Sequence, residues 1–107
     1  MNYNKIILGT VQFGIKYGIN NVVEKPSKQE VFNIFEFAVK NNIQTLDTAD
    51  GYGNACEIIG KFHKQTRFKF QINTKFKYNQ SKSLNEQLHD SINKLNINYA
   101  NIFAIKC

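Results

Sequence analysis

Within Thr45-Leu46-Asp47-Thr48-Ala49-Asp50-Gly51-Tyr52-Gly53-Asn54, a short apolar segment ends on the carboxylate of Asp47, turns through Gly51 and Gly53, and holds out the phenol of Tyr52 between the two glycines. Lys75 stands near the end of a later alternating segment. A carboxylate, a phenol and an ammonium gathered at one place can deliver a proton. A phenol titrates near pH 10 and donates reluctantly, but an ammonium beside it stabilises the phenolate. The carboxylate then keeps the ammonium in place and charged. Each residue also has a plain structural reading: Asp47 and Asp50 as turn formers, Tyr52 as a packed aromatic, Lys75 as a solvated strand end. The elements that carry the three residues decide between these readings.

Those elements alternate. Lys5 to Thr10 reads as a buried strand, a short apolar run bounded by Gly. Val11 to Val23 contains Gly14, Gly18 and Asn20-Asn21 and reads as a long loop. Ser27, with Glu30 three residues on, forms a capping box that opens the first helix. Its stripe is Val31, Ile34, Phe35, Ala38 and Val39, widened by Phe32 and Phe37. Lys40-Asn41-Asn42 stops it, and Ile43 to Ala49 is the second strand. Asn54, with Glu57, is placed to cap a second helix that buries Ile58, Ile59 and Phe62. Gly60 inside that helix costs about 1 kcal/mol relative to Ala, which points to close packing against a neighbour. Arg67 to Phe76 alternates, with Phe68, Phe70 and Ile72 on one side and Lys69, Gln71 and Asn73 on the other; this is the third strand, ending around Thr74-Lys75. After a polar loop, Tyr78 to Lys82, Ser83 and Glu86 form another capping box, with Leu84, Leu88, Ile92 and Leu95 as the inward stripe of the third helix. Tyr99 to Lys106 is the fourth strand. Strands alternating with amphipathic helices imply an α/β fold with parallel strands, and residues 1–107 show no repeat or linker that would divide them.

Leu46-Asp47-Thr48-Ala49 followed by Tyr52-Gly53 resembles the signature of the aldo-keto reductase family. Leu8-Gly9-Thr10-Val11-Gln12-Phe13-Gly14 before it, Asn73-Thr74-Lys75 after it, and Ser91 to Leu95 ahead of Tyr99 fall in the family's order and at about its spacing. The resemblance therefore covers essentially the whole chain, and is strongest to bacterial members that open with a Leu-Gly-Thr-Val-Gln-Phe-Gly strand. It implies the N-terminal half of a TIM (β/α)8 barrel, with four parallel strands and three helices. It also implies NADPH-dependent reduction of an aldehyde or ketone. In that chemistry the nicotinamide supplies the hydride, Tyr52 the proton, Lys75 modulates Tyr52, and Asp47 partners Lys75. Gly9, Thr10 and Asp47 match positions beside the nicotinamide and are the expected cofactor contacts. No metal is expected.

The chain departs from the family pattern at two single positions. Lys106 occupies the place of the family's His at the end of strand four, and His63 and His89 lie on helices where they cannot substitute. Cys56 stands where the family usually has Glu, with Glu57 one residue later, and no His is placed to activate it as a nucleophile. A larger departure is that the family's clamp for the cofactor phosphates is built from strands seven and eight, which have no counterpart here. A complete barrel needs about 250 residues, against 107 in this chain. The isolated chain is accordingly expected to be inactive. The alternative function is that of a truncated half barrel acting only as an oligomerising or interaction module, which associates with itself or with a complementary half, because open strand edges and an uncovered inner face are association hazards.

Composition limits the remaining partners. The 42% hydrophobic content is ordinary for a globular domain. The net charge of +6 comes almost entirely from lysines scattered among asparagines, with Arg67 the sole arginine, and that pattern does not make a nucleic-acid face. Lys61, His63, Lys64, Arg67 and Lys69 read as a solvated helix end. Two cysteines, Cys56 and Cys107, make neither a metal site nor a disulfide framework. The apolar run Ile6-Ile7-Leu8 is broken by Gly9-Thr10 before it could serve in a signal peptide, and no stretch is long enough to cross a bilayer. The expected setting is the cytoplasm, with a small carbonyl compound as substrate and neither membrane nor nucleic acid as partner.

Overall fold

A computed structural model describes residues 6–14, 26–77 and 81–106. Four strands, β1 (Ile7–Gly9), β2 (Thr45–Asp47), β3 (Gln71–Lys77) and β4 (Ile102–Lys106), form one sheet in the order β1-β2-β3-β4. All three pairings are parallel. Between the strands lie a four-residue helix α1 (Val11–Gly14) and three longer ones, α2 (Lys28–Lys40), α3 (Ala55–Thr66) and α4 (Leu84–Leu95). The expected four parallel strands and three amphipathic helices are all present. Helix α1 occupies the start of the stretch read as a loop; Gly18 and Asn20-Asn21 of that loop, and Tyr78 of the later one, lie outside the described residues.

The strands are shorter than their apolar runs because a parallel ladder extends only where a neighbour is in register. Bonding nevertheless continues beyond β2: the Thr48 N–H donates to the Asn73 carbonyl at 2.9 Å, and the Asp50 N–H to that of Lys75 at 3.1 Å. Strand β3 starts at Gln71, later than expected, because Arg67 closes α3 in a left-handed conformation, φ 61°. The alternation in β3 is as read, with Phe70, Ile72, Thr74 and Phe76 buried.

The helix starts follow elementary capping to different degrees, a full box at α2, a one-sided cap at α4 and no side-chain cap at α3. Ser27 and Glu30 make the full reciprocal box at the start of α2. Ser83 accepts from the Glu86 N–H and donates to its carboxylate at the start of α4. Asn54 holds the N-cap position of α3 but makes no side-chain capping bond.

The core joins α2, α3 and the sheet around aromatic rings. Phe35, fully buried, meets Phe13, Phe62 and Phe70 edge-on at centroid distances of 5.7, 5.1 and 5.5 Å, the arrangement ring quadrupoles favour. Leu46 and Ile72 supply the floor of the core from adjacent strands. Phe37, expected to widen the stripe of α2, is instead 64% exposed.

Helix α4 departs most from its hydrophobic pattern. Its buried residues are Gln87, Ser91 and Leu95, while Leu84 is exposed. The helix is turned so that two polar side chains face inward, and each finds a partner there: the Gln87 amide donates to the Lys77 carbonyl and the Ser91 hydroxyl to Asp50. Leu95 and the half-buried Leu88 and Ile92 keep the inward stripe that apolar spacing predicts. Leu84 leaves it, and Ser91 enters because Asp50 satisfies its hydroxyl. Gln87 is satisfied only through its amide N–H, its Oε1 being buried without a hydrogen-bond partner.

Helices α3 and α4 meet at Gly60, where a Cβ would fall 1.9 Å from the Lys94 carbonyl oxygen. The close contact foreseen from Gly60 is therefore a backbone-to-helix approach that only Gly permits. One turn on, His63 uses that proximity. Its Nε2 accepts from the Phe70 N–H at 3.0 Å, so Nδ1 carries the proton and donates to the Leu95 carbonyl at 2.7 Å. One buried imidazole thus ties α3 to the end of α4 and to the approach to β3. Burial, opposed by the Leu95 hydrogen bond and aided by the Lys69 charge, lowers its pKa below the usual histidine value.

Two outcomes follow for stability. Gly60→Ala is expected to cost about 2 to 3 kcal/mol, because the clash is with backbone that cannot rotate away; chemical denaturation of the variant measures it. His63 titrates lower in the folded chain than unfolded, so the unfolded state takes up more protons in acid. Its contribution is complete above about pH 6.5 and is lost as the pH falls from there through the lowered folded value. Denaturation midpoints between pH 7.5 and 5 should fall with pH, and fall less steeply in His63→Gln.

Candidate active site

Parallel pairing with this register sets Gly9, Asp47 and Asn73 side by side across β1, β2 and β3. Lys75 lies two residues beyond Asn73, so the pleat turns it to the same face as Asp47, toward the carboxyl ends of the strands. The opposite face carries Leu8, Leu46, Ile72 and Phe76 into the core. The site face is therefore the one that the helices leave free.

The three residues singled out from sequence meet there. The Lys75 ammonium lies 3.4 Å from Asp47 Oδ2 and 5.1 Å from the centroid of the Tyr52 ring. Both charged side chains are partly open to solvent, 34% for Lys75 and 44% for Asp47. A pair this exposed contributes little to stability; what it does is hold the ammonium against the phenol. Burial acts to lower the Lys75 pKa, but the hydrogen bond with Tyr52 and the charge of Asp47 together outweigh it, and the net direction is upward. The lysine stays an ammonium.

Each member is held by local structure. Asp47 ends β2, and its carbonyl accepts both the N–H and the hydroxyl of Thr10 at 3.0 Å. Tyr52 sits in a turn closed by its own N–H to Ala49 and by the Ala55 N–H to its carbonyl, each 3.1 Å. Gly53 follows in the left-handed region, φ 59°, where a side chain would be strained. Lys75 sits mid-strand, two residues short of where β3 ends.

The remaining candidates separate by exposure. Gly9 is exposed beside Asp47 and a Cβ there would meet nothing within 4 Å. Thr10, expected to touch a cofactor, is fully buried, its hydroxyl engaged by the Asp47 carbonyl; it braces the carboxylate strand and offers no free group to the rim. Lys106 ends β4 opposite Lys77 in the register. His63 is buried where β3 begins, at the other end of the sheet, and His89 is exposed on α4. Cys56 is buried, its thiol donating to the Ala49 carbonyl at 3.6 Å and lying 3.7 Å from the Thr48 hydroxyl. Burial, the largest influence, raises its pKa, so it is a packed thiol and not a nucleophile. Among the described residues no cluster of three or more His, Cys, Asp or Glu is placed to hold a metal ion, and no helix is long and apolar enough to cross a membrane.

One participant escaped the sequence reading. Asp50, read only as a turn former, accepts the buried Ser91 hydroxyl on both carboxylate oxygens, at 2.9 and 3.1 Å. The only signal available was a lone serine in the inward face of α4, which apolar periodicity discards.

Four parallel strands with interleaved helices, and ionisable groups gathered where the strands end, are the beginning of a (β/α)8 barrel with its site at the customary rim. The profile of the aldo/keto reductase family matches residues 5–107, and the chain belongs to that family. Two solved structures of proteins from Pseudomonas aeruginosa assigned to the aldo-keto reductases share the fold, each with a TM-score of 0.70, at 22% and 21% identity. Each alignment covers 92% of this chain but only 41% and 40% of the relative. The chain is thus similar to about two fifths of those proteins and corresponds to half of their barrel. No curated protein sequence matches it significantly.

The electrostatics of the cluster are directly measurable. Asp47→Asn removes one source of the upward shift at Lys75, and Tyr52→Phe removes another. In each variant the Lys75 amine, followed by NMR of its 13C-methylated form, should titrate below its value in the parent chain; an unchanged titration would break the assigned contacts.

Proposed function

We propose that this chain supplies the proton-delivering rim of an NAD(P)H-dependent aldo-keto reductase acting on an aldehyde or ketone. Reducing a carbonyl adds a hydride to carbon and a proton to oxygen. When bound, a reduced nicotinamide supplies the hydride. None of the side chains at this rim is a hydride source, while a phenol, an ammonium and a carboxylate are what the proton half requires. Gly9 and Asp47 are the residues that would lie against the ring, and the space beside Gly9 is open, since a Cβ there would meet nothing within 4 Å. NADPH is the form the family resemblance suggests.

In this reading Tyr52 gives its proton to the carbonyl oxygen as negative charge develops there. Lys75 stabilises the phenolate left behind, and Asp47 keeps Lys75 charged and directed at the ring. Thr10 contributes by fixing the backbone of Asp47. The observation that carries the reading is the position of the Lys75 ammonium, over the Tyr52 ring and beside the Asp47 carboxylate. Turnover is assigned to a whole barrel, of which these four strands are a half. Ile7 and Ile102, exposed on the site face of the sheet, are the surface against which the other half would close. A buried, unpaired Cys56 suits a reducing compartment such as the cytoplasm.

Quenching of NADPH fluorescence by the chain tests nucleotide binding, and NADPH oxidation with an aldehyde, measured in a whole barrel that carries this rim, tests chemistry. With the acid removed, Tyr52→Phe should lower kcat by about 10²- to 10⁴-fold, with nucleotide binding kept. Full turnover in Tyr52→Phe would falsify the assignment of the proton donor.

A further inference from the structure

Tyr52 stands between Gly51 and Gly53, the two residues least able to hold a side chain in one place. Gly51 is exposed and a Cβ there would meet nothing within 4 Å. The backbone of Tyr52 is closed into its turn by Ala49 and Ala55, and Asp50 is the residue that ties this turn to the sheet and to α4, at two points. Its N–H donates to the carbonyl of Lys75 at 3.1 Å, and its carboxylate accepts the hydroxyl of Ser91. Ser91 is 1% exposed, and a hydroxyl buried so deeply would cost stability without that acceptor. Asp50 thus connects three things: the turn that bears the phenol, the strand residue that bears the ammonium, and the buried face of α4.

We infer that Asp50, clamped by Ser91, is the positioning residue that sets the Tyr52 phenol against the Lys75 ammonium. It acts through geometry. The carboxylate whose charge bears on Lys75 is Asp47, whereas Asp50 directs its oxygens away to α4. The inference rests on the proposed reductase function for its consequence in catalysis, but the placement itself is independent of that function.

The test reads placement first. The Lys75 ammonium lies over the Tyr52 ring, 5.1 Å from its centroid, so the protons of the adjoining Cε methylene should show an upfield ring-current displacement in NMR. In Asp50→Ala, and again in Ser91→Ala, that displacement should relax toward ordinary lysine values while the signals of Phe35 and Leu46 in the core stay native. Asp50→Asn keeps an oxygen for the Ser91 hydroxyl and should restore the displacement, which separates the hydrogen bond from the charge. In a barrel that turns over, Asp50→Ala should lose about 10²-fold in kcat, the scale expected for a misplacement of about 1 Å, with KM little changed and Asp50→Asn recovering most of the rate. An unaltered Lys75 displacement in both alanine variants would overturn the inference. So would collapse of the core in both, since that would make the bond a tie for the whole fold and not for this turn. If the parent chain reduces nothing, the ring-current comparison still decides the placement, so the two proposals fail separately.

Discussion

Register in the parallel sheet is the constraint on which everything else hangs. Side chains alternate strictly across a strand, so sliding β3 by one residue against β2 would send Lys75 into the core and Phe76 to the rim. That slip is prevented by a fully buried face: Leu46 and Ile72 are paired across β2 and β3 and both lie within the aromatic core. Burying even one side chain of this size is worth roughly 1.5 to 3 kcal/mol, far more than the exposed Asp47–Lys75 pair can contribute. The hydrophobic face places the charged face; the ion pair rides on it.

The two ends of the sheet divide the work. Where β3 begins, Gly60 lets α3 and α4 touch, and His63 fastens both to the backbone at Phe70. Every polar atom of that imidazole is satisfied, and the result is rigid and chemically quiet. At the carboxyl ends the polar groups are left partly open, and the backbone turns through glycine. Cys56 belongs to the quiet side of this division although it lies close to the rim, because its thiol is spent on the Ala49 carbonyl and the Thr48 hydroxyl.

Much of this was legible in the residues themselves. Alternating strand and helix patterns, the capping serines Ser27 and Ser83, the close contact at Gly60 and the β3 alternation all come from local rules that tertiary packing leaves in force. The polar residues in the buried face of α4, the exposure of Phe37 and the burial of Thr10 were not legible. Each depends on which partner a side chain finds across the fold: Ser91 is inside because Asp50, forty-one residues away, accepts a hydrogen bond from its hydroxyl, and Thr10 is inside because the Asp47 carbonyl does the same.

The sequence alone determined the class of fold and the identity of the three ionisable residues, since period, turn chemistry and motif spacing are carried by neighbours along the chain. Only the tertiary structure decided that those residues converge, how the Tyr52 turn is anchored, and that Thr10 supports the site from behind. Convergence is a matter of register and of long-range hydrogen bonds, and neither is encoded in any single stretch.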